Sequence, residues 1–207
     1  FSTIWVPIVY KWVAEGVDSK KIKDLTDIVT FAVIFIWSMS GIFSWLVSYI
    51  LPADYIKVQY ILLLSIAYPL MYTLSEPSGI GISITRRTAL LLLATIVALL
   101  VNAIGNIFLI PIYGASGAAI ASAVAFFIFL IFKTEASSLV WISFERYKMY
   151  SFIFLLLTLS LLVNIYDFYG YHIILYIFIL VFGIIFFKKE TVIMYKFIFS
   201  AFRTLKL

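Results

Sequence analysis

The chain contains no cysteine, one histidine and few charges, with Asp, Glu, Lys and Arg together making up 12% of 207 residues. Without cysteine there are no disulfides and no thiolate metal sites. A histidine-based metal site would have to draw every further ligand from carboxylates or from another segment. His172 opens an apolar run, where an amphipathic ring suits a membrane interface, and that is the role read for it. The sequence carries no Ser-His-Asp constellation, zinc motif or P-loop, and no glycine-rich phosphate cradle before a helix. The expectation is a non-enzymatic protein that needs no cofactor. No nucleic-acid-binding motif is present, so nucleic acid is not expected as a partner.

Apolar residues fill the space the charges leave. They make up 65% of the chain, with a mean hydropathy of +1.14, far outside the soluble globular range. Runs long enough to cross a bilayer, about 17–25 residues, fall at 27–50, 58–80, 88–110, 115–132, 150–166 and 171–187. The expected fold is an all-α, polytopic transmembrane helix bundle. Its first segment, 1–13, reads as the end of a truncated helix with Trp5, Pro7 and Trp12 near its close. It lacks the charged start and small-residue cleavage site of a signal peptide. The chain therefore reads as the C-terminal part of a longer protein. Segment 14–132 holds four spans, 133–187 two more, and 188–207 a basic tail suited to an amphipathic helix on the inner leaflet.

The basic residues give the expected orientation. Of 15 Lys and Arg, all but Lys57 fall on one alternating set of loops and the tail. The positive-inside rule makes that set cytoplasmic, with the C-terminus on the same side. The net charge of +5 then reflects topology and contact with anionic headgroups. The connections on the other side, 51–57, 111–114 and 167–170, leave no room for a folded catalytic domain.

The most informative block runs from Asn102 to Phe126. It is an apolar helix broken between Pro111 and Gly114, followed at once by a helix rich in small residues. Pro111 is expected to end the first helix and Gly114 to permit a tight reversal. Gly117, Ala121 and Ala125 recur every four residues, as do Gly114, Ala118 and Ser122, and such rows allow close helix packing.

This block, from Asn102 and Asn106 through Leu109-Ile110-Pro111 and Tyr113-Gly114 to Gly117-Ala118-Ala119, resembles a signature of polysaccharide-biosynthesis flippases: N, three residues, N, then IP-x-YG-x-x-GAA. These belong to the multidrug/oligosaccharidyl-lipid/polysaccharide exporter superfamily and include O-antigen flippases. A helix ending in Pro7 before a basic loop, a turn at Leu51-Pro52-Ala53-Asp54-Tyr55 and the basic pair Arg86-Arg87 follow in family order. Leu51-Pro52 stands where the family often has Phe-Gly, and the last two spans match only in hydropathy. The resemblance implies the C-terminal lobe of a two-lobe, alternating-access transporter in a prokaryotic cytoplasmic membrane. It also implies a polyprenyl-diphosphate-linked oligosaccharide as substrate, the N-terminal half of the same chain as partner lobe, surrounding membrane lipids and a polysaccharide polymerase as a possible partner.

The candidate site residues follow from spacing. Ser65, Tyr68, Tyr72 and Glu76 place a hydroxyl, two phenols and a carboxylate along one helical face, the expected cavity wall. Glu76 is open between two roles: a cavity role in coupling or gating, or an interfacial carboxylate paired with Arg86 or Arg87. Pro77 follows it and favours a kink, with Gly79 and Gly81 adding compliance. Asn102 and Asn106, four residues apart, face one way and either bond between helices or contact sugar. Arg86 and Arg87 either set topology and bind anionic lipid or attract the substrate diphosphate. Ser40, Ser44 and Ser48 read as a packing row. Pro7, Pro77, Pro111, Gly114 and Gly117 read as architectural. Two other functions stay open: a cation-coupled exporter of the same superfamily, and a membrane-embedded glycan polymerase or acyltransferase.

Overall fold

The computed structural model describes residues 7, 9–12, 15–16, 19–52, 55, 57–166 and 170–204; the side chains of residues 19 and 197–204 are outside the description. Trp5, Ala53, Asp54 and the connection 167–169 lie outside the described residues.

All regular elements among the described residues are helices, with no strand. Helix α1 spans Ser19–Ile42. A 3-10 turn at Ser44–Leu46 and the short α2, Val47–Ile50, follow. Next come α3 (Val58–Ser65), α4 (Ala67–Ser78) and α5 (Ile80–Ile84). Two 26-residue helices, α6 (Thr88–Tyr113) and α7 (Ala115–Val140), precede α8 (Tyr147–Tyr166), α9 (Tyr171–Phe186) and α10 (Lys188–Thr204).

Five helical units are long and apolar enough to cross a membrane: 20–42, α3 with α4, α6, α7 and α8. The chain is a multi-pass helical membrane protein by this measure. A sixth crossing is available only if α9 and the start of α10 count as one broken span, because they meet at 94°. With 16 residues, α9 is about 24 Å long at 1.5 Å per residue, short of a hydrocarbon core about 30 Å thick.

Several expected boundaries move, each for an identifiable reason. The first span begins earlier than expected and ends at Ile42. Ser40, Ser44 and Ser48 therefore do not form a row on one helix; their hydroxyls donate to the carbonyls of Ile36, Gly41 and Trp45. Pro7 is helical, and so are residues 9–12 beyond it. Pro111 lies inside α6, which continues to Tyr113. Proline forfeits one hydrogen bond, and near a helix end that loss does not force a stop. The span beginning at Ala115 continues past 132 to Val140, taking Lys133 and Glu135 into the helix instead of a loop. Pro69 cannot donate to Ser65, and Ile66 is a turn between α3 and α4.

Helices α6 and α7 pack along one another through the reversal at Gly114, whose φ of 58° and ψ of −130° are open to glycine and strained for other residues. A Cβ on Gly117 would fall on the Leu109 carbonyl, and one on Gly105 would meet the Ala121 methyl at 2.8 Å. The small-residue rows thus serve close approach, as expected. On its other sides α7 packs against α3, α4, α5 and α8, while α1 packs against α9, α4 and α8. The central core includes Phe31, Trp37, Leu63, Met71, Leu156 and Tyr176. Trp37 Nε1 donates to Ser160 Oγ at 3.0 Å, and Ser160 Oγ shares a 2.7 Å hydrogen bond with Tyr176 Oη. That chain ties α1, α8 and α9 through the apolar core, where an unpaired polar group would be costly. His172, the second residue of α9, is buried, with Nε2 3.2 Å from Ser44 Oγ and the ring edge-on to Tyr60.

Candidate functional site

Three helices converge on a cleft of about 390 Å³. Tyr68 and Tyr72 come from α4, Thr95, Ala98, Leu99 and Asn102 from α6, and Ser122, Phe126 and Phe129 from α7. Spacings of three and four residues put each set on one face of its helix. Tyr68 meets Phe126 edge-on with centroids 4.2 Å apart, and Tyr72 stacks on Phe129 at 6.2 Å. Both tyrosines remain more than two-fifths exposed, leaving ring faces and hydroxyls open to a ligand. The wall is mainly aromatic with a few convergent polar groups, the usual composition of a small-molecule site.

The polar groups of α6 and α7 form a ladder. Asn102 Nδ2 donates to Ser122 Oγ at 3.1 Å, and Asn106 Nδ2 donates to Asn102 Oδ1 at 3.0 Å. The two amides act between helices and along one, with Asn102 also lining the cleft. Asn106 does not line it, and its Oδ1 is buried without a hydrogen-bond partner among the described residues.

Beyond the stacked rings lies a charged pair. Lys133 Nζ donates to Glu76 Oε1 at 2.7 Å and to Ser75 Oγ at 3.2 Å. Both side chains are largely buried, 8% and 14% exposed. The same ammonium stands 5.7 Å from the Tyr72 ring centroid and 5.5 Å from that of Phe129, within cation–π range. Gly79 makes room for the lysine stem, since a Cβ there would meet Lys133 Cγ at 2.5 Å. Two further bonds continue this seam between the α4–α5 segment and α7: Ser78 Oγ with Thr134 Oγ1 at 2.7 Å, and Gly81 N to Ser137 Oγ at 2.9 Å.

The structure therefore brings together Tyr68, Tyr72, Asn102 and, just beyond the cleft, Glu76. Ser65 stands apart: it lies in α3 beyond the break at Ile66, and its hydroxyl donates to the Ile61 carbonyl. The alternative pairing of Glu76 with Arg86 or Arg87 is corrected, because its partner is Lys133. Pro77 sits one residue before the end of α4, and Gly79 separates α4 from α5, so the helix is interrupted in the segment where Pro77 favours a kink. Arg86 and Arg87 are exposed and line no part of the cleft.

Lys133, Phe126 and Phe129 carry no site role in the sequence reading, and Ser122 enters it only as a member of the small-residue row. Their signal was available, because Ser122, Phe126, Phe129 and Lys133 recur at steps of four, three and four residues, which put them on one helical face as the four-residue steps of Tyr68, Tyr72 and Glu76 do. It was obscured because a lysine at the edge of an apolar run reads as a loop cation.

A second charged cluster holds the α7–α8 connection. Arg146 donates to both Glu135 carboxylate oxygens, and Tyr150 donates to Glu135 Oε1 at 2.8 Å. The hydrogen bond to Glu135 holds the Arg146 guanidinium above its ordinary pKa. No group of three or more metal-ligating side chains occurs among the described residues. No family model matches the chain, and neither a curated protein nor a solved structure matches it.

Proposed function

We propose that this chain is one lobe of a flippase that moves a polyprenyl-diphosphate-linked oligosaccharide across the cytoplasmic membrane. The observation that carries the reading is the aromatic cleft ending on the Lys133–Glu76 pair. Saccharides present C–H faces that stack on rings such as Tyr68 and Tyr72, and their hydroxyls exchange hydrogen bonds with groups such as Asn102 and Ser122. The Lys133 ammonium behind those rings is held by Glu76, and exchanging that carboxylate for phosphate oxygens would let it engage a diphosphate at the reducing end of the sugar.

In this reading the chain is the C-terminal lobe, and a second helical lobe from the same polypeptide closes the cleft from the other side. Rocking of the lobes opens the cleft alternately to each leaflet, with the polyprenyl tail in lipid and the C-terminus in the cytoplasm of a prokaryotic cell. A polysaccharide polymerase would take the product on the outer side. The cation-coupled exporter reading draws on the same features, because a carboxylate inside a span and an aromatic box also suit an organic cation. Glu76 is already engaged by Lys133, so its charge is compensated and draws an organic cation little.

The test reconstitutes the native full-length protein in proteoliposomes and follows leaflet transfer of a fluorescent polyprenyl-diphosphate oligosaccharide. Wild type is expected to transfer it, and Tyr72→Ala and Lys133→Gln to slow transfer tenfold or more. Absence of transfer with several glycans, together with ion-driven efflux of small organic cations, would replace this reading with the exporter.

A further inference from the structure

We propose that α6 and α7 hold one anionic glycerophospholipid, its phosphate on Arg87 and one acyl chain in the groove beneath it. The groove has a volume of about 620 Å³ and lies between the start of α6 and the last turns of α7. Leu90, Ile128, Ile131, Phe132 and Leu139 form its walls. Near Gly105 and Gly117 the same pair of helices packs at close range, so the groove is confined to the end of the pair away from the reversal.

Charge selects the occupant. Arg87 lines the groove, is exposed, and makes no side-chain hydrogen bond or ion pair among the described residues. The one acidic residue that also lines it, Glu135, has both oxygens engaged by Arg146 and one also by Tyr150. Its negative charge is therefore compensated and opposes an incoming anion little. No acidic side chain occupies the first turn of α6 and no side chain caps it, so its first N–H groups add to the positive field.

An unpaired guanidinium at the mouth of an apolar groove matches an amphiphile with a phosphate head, since the planar fork pairs with phosphate oxygens. A soluble phosphate would satisfy Arg87 and leave the apolar walls bare. In a multi-pass membrane protein the abundant molecule with both features is an anionic phospholipid, and basic pockets between spanning helices are sites for such headgroups. The bound lipid would join the two helices whose next turns, at Thr95, Phe126 and Phe129, line the aromatic cleft. The proposal does not depend on which solute the cleft carries.

The test is native mass spectrometry of the full chain purified in detergent and offered equimolar phosphatidylglycerol and phosphatidylcholine of the same acyl composition. Wild type is expected to retain one phosphatidylglycerol with at least tenfold preference. Arg87→Gln is expected to abolish the preference and Arg86→Gln to keep it. Ile131→Trp, which fills the groove, is expected to reduce retention of both lipids. Because Arg87 is exposed, its substitution should leave folding intact even if Ile131→Trp does not. Equal retention of the two lipids by wild type, or equal losses from Arg86→Gln and Arg87→Gln, would overturn the site. Stoichiometric displacement of phosphatidylglycerol by a polyprenyl-diphosphate oligosaccharide would overturn the occupant.

Discussion

Glu76 and Lys133 show how strongly one residue's meaning depends on its partner. Removing either member of a buried ion pair leaves the other charge uncompensated, at a cost of about 3–5 kcal/mol, whereas replacing both with apolar groups of similar volume is close to neutral. Lys133→Met alone is therefore expected to lower the melting temperature in detergent markedly, and Glu76→Met combined with Lys133→Met to recover most of it. A double variant as unstable as the single one would mean that the pair is not the source of the loss. Ser160 supports a second residue-scale expectation. It accepts from Trp37 and shares a hydrogen bond with Tyr176, so Ser160→Ala is expected to cost about 1–2 kcal/mol. Ser160→Thr should retain the hydroxyl contact and report whether the added methyl is tolerated.

At the scale of elements, the α6–α7 pair rests on close approach between small residues. Gly117→Ala would push a methyl into the Leu109 carbonyl, forcing the helices apart just after the Gly114 reversal. The expected result is a larger loss of thermal stability than for Gly16→Ala, where nothing lies within 4 Å of the added carbon and only its φ of 76° opposes the change. The 94° turn between α9 and α10 has its own consequence. If α9 runs along the membrane normal, α10 lies in the membrane plane, with Lys188, Lys189 and Lys196 suited to the headgroup layer. Spin labels at Val192→Cys and Ile193→Cys, unique because the chain has no native cysteine, are expected to report shallow depth in bilayers. Depths near the bilayer centre would instead make α10 the continuation of a crossing.

At the scale of the whole molecule, exposure divides the spans. Only 11% of the apolar window of α6 is buried, against 39–44% in the other four units. Phe108 and Ile107 are each about two-thirds exposed, while Thr95 and Asn102 of the same helix line the cleft. The expected arrangement has one side of α6 toward lipid and the other toward a hydrated cleft. Thr95→Cys is then expected to react in proteoliposomes with a charged methanethiosulfonate reagent, and Phe108→Cys to be at least tenfold slower. Equal rates would place both faces in the same medium and remove the basis for a polar substrate.

Sequence by itself determined the all-helical class, the membrane as solvent, the approximate spans and the reversal at Gly114, because each rests on local composition or on a single residue's backbone freedom. It also put Tyr68, Tyr72 and Glu76 on one helical face, since a 3.6-residue period needs no knowledge of neighbours. Tertiary structure alone decided which helix faced them. The ion pair of Glu76 with Lys133 joins residues 57 positions apart, and the same crossing of α4 and α7 sets the stack of Tyr72 on Phe129. Ser65, Arg86 and Arg87 lie outside the cleft, and Arg87 lines the groove between the start of α6 and the end of α7 instead. Periodicity fixes the direction a side chain takes from its own helix axis; what it meets depends on how the helices cross, and that is set by packing between segments distant in the chain.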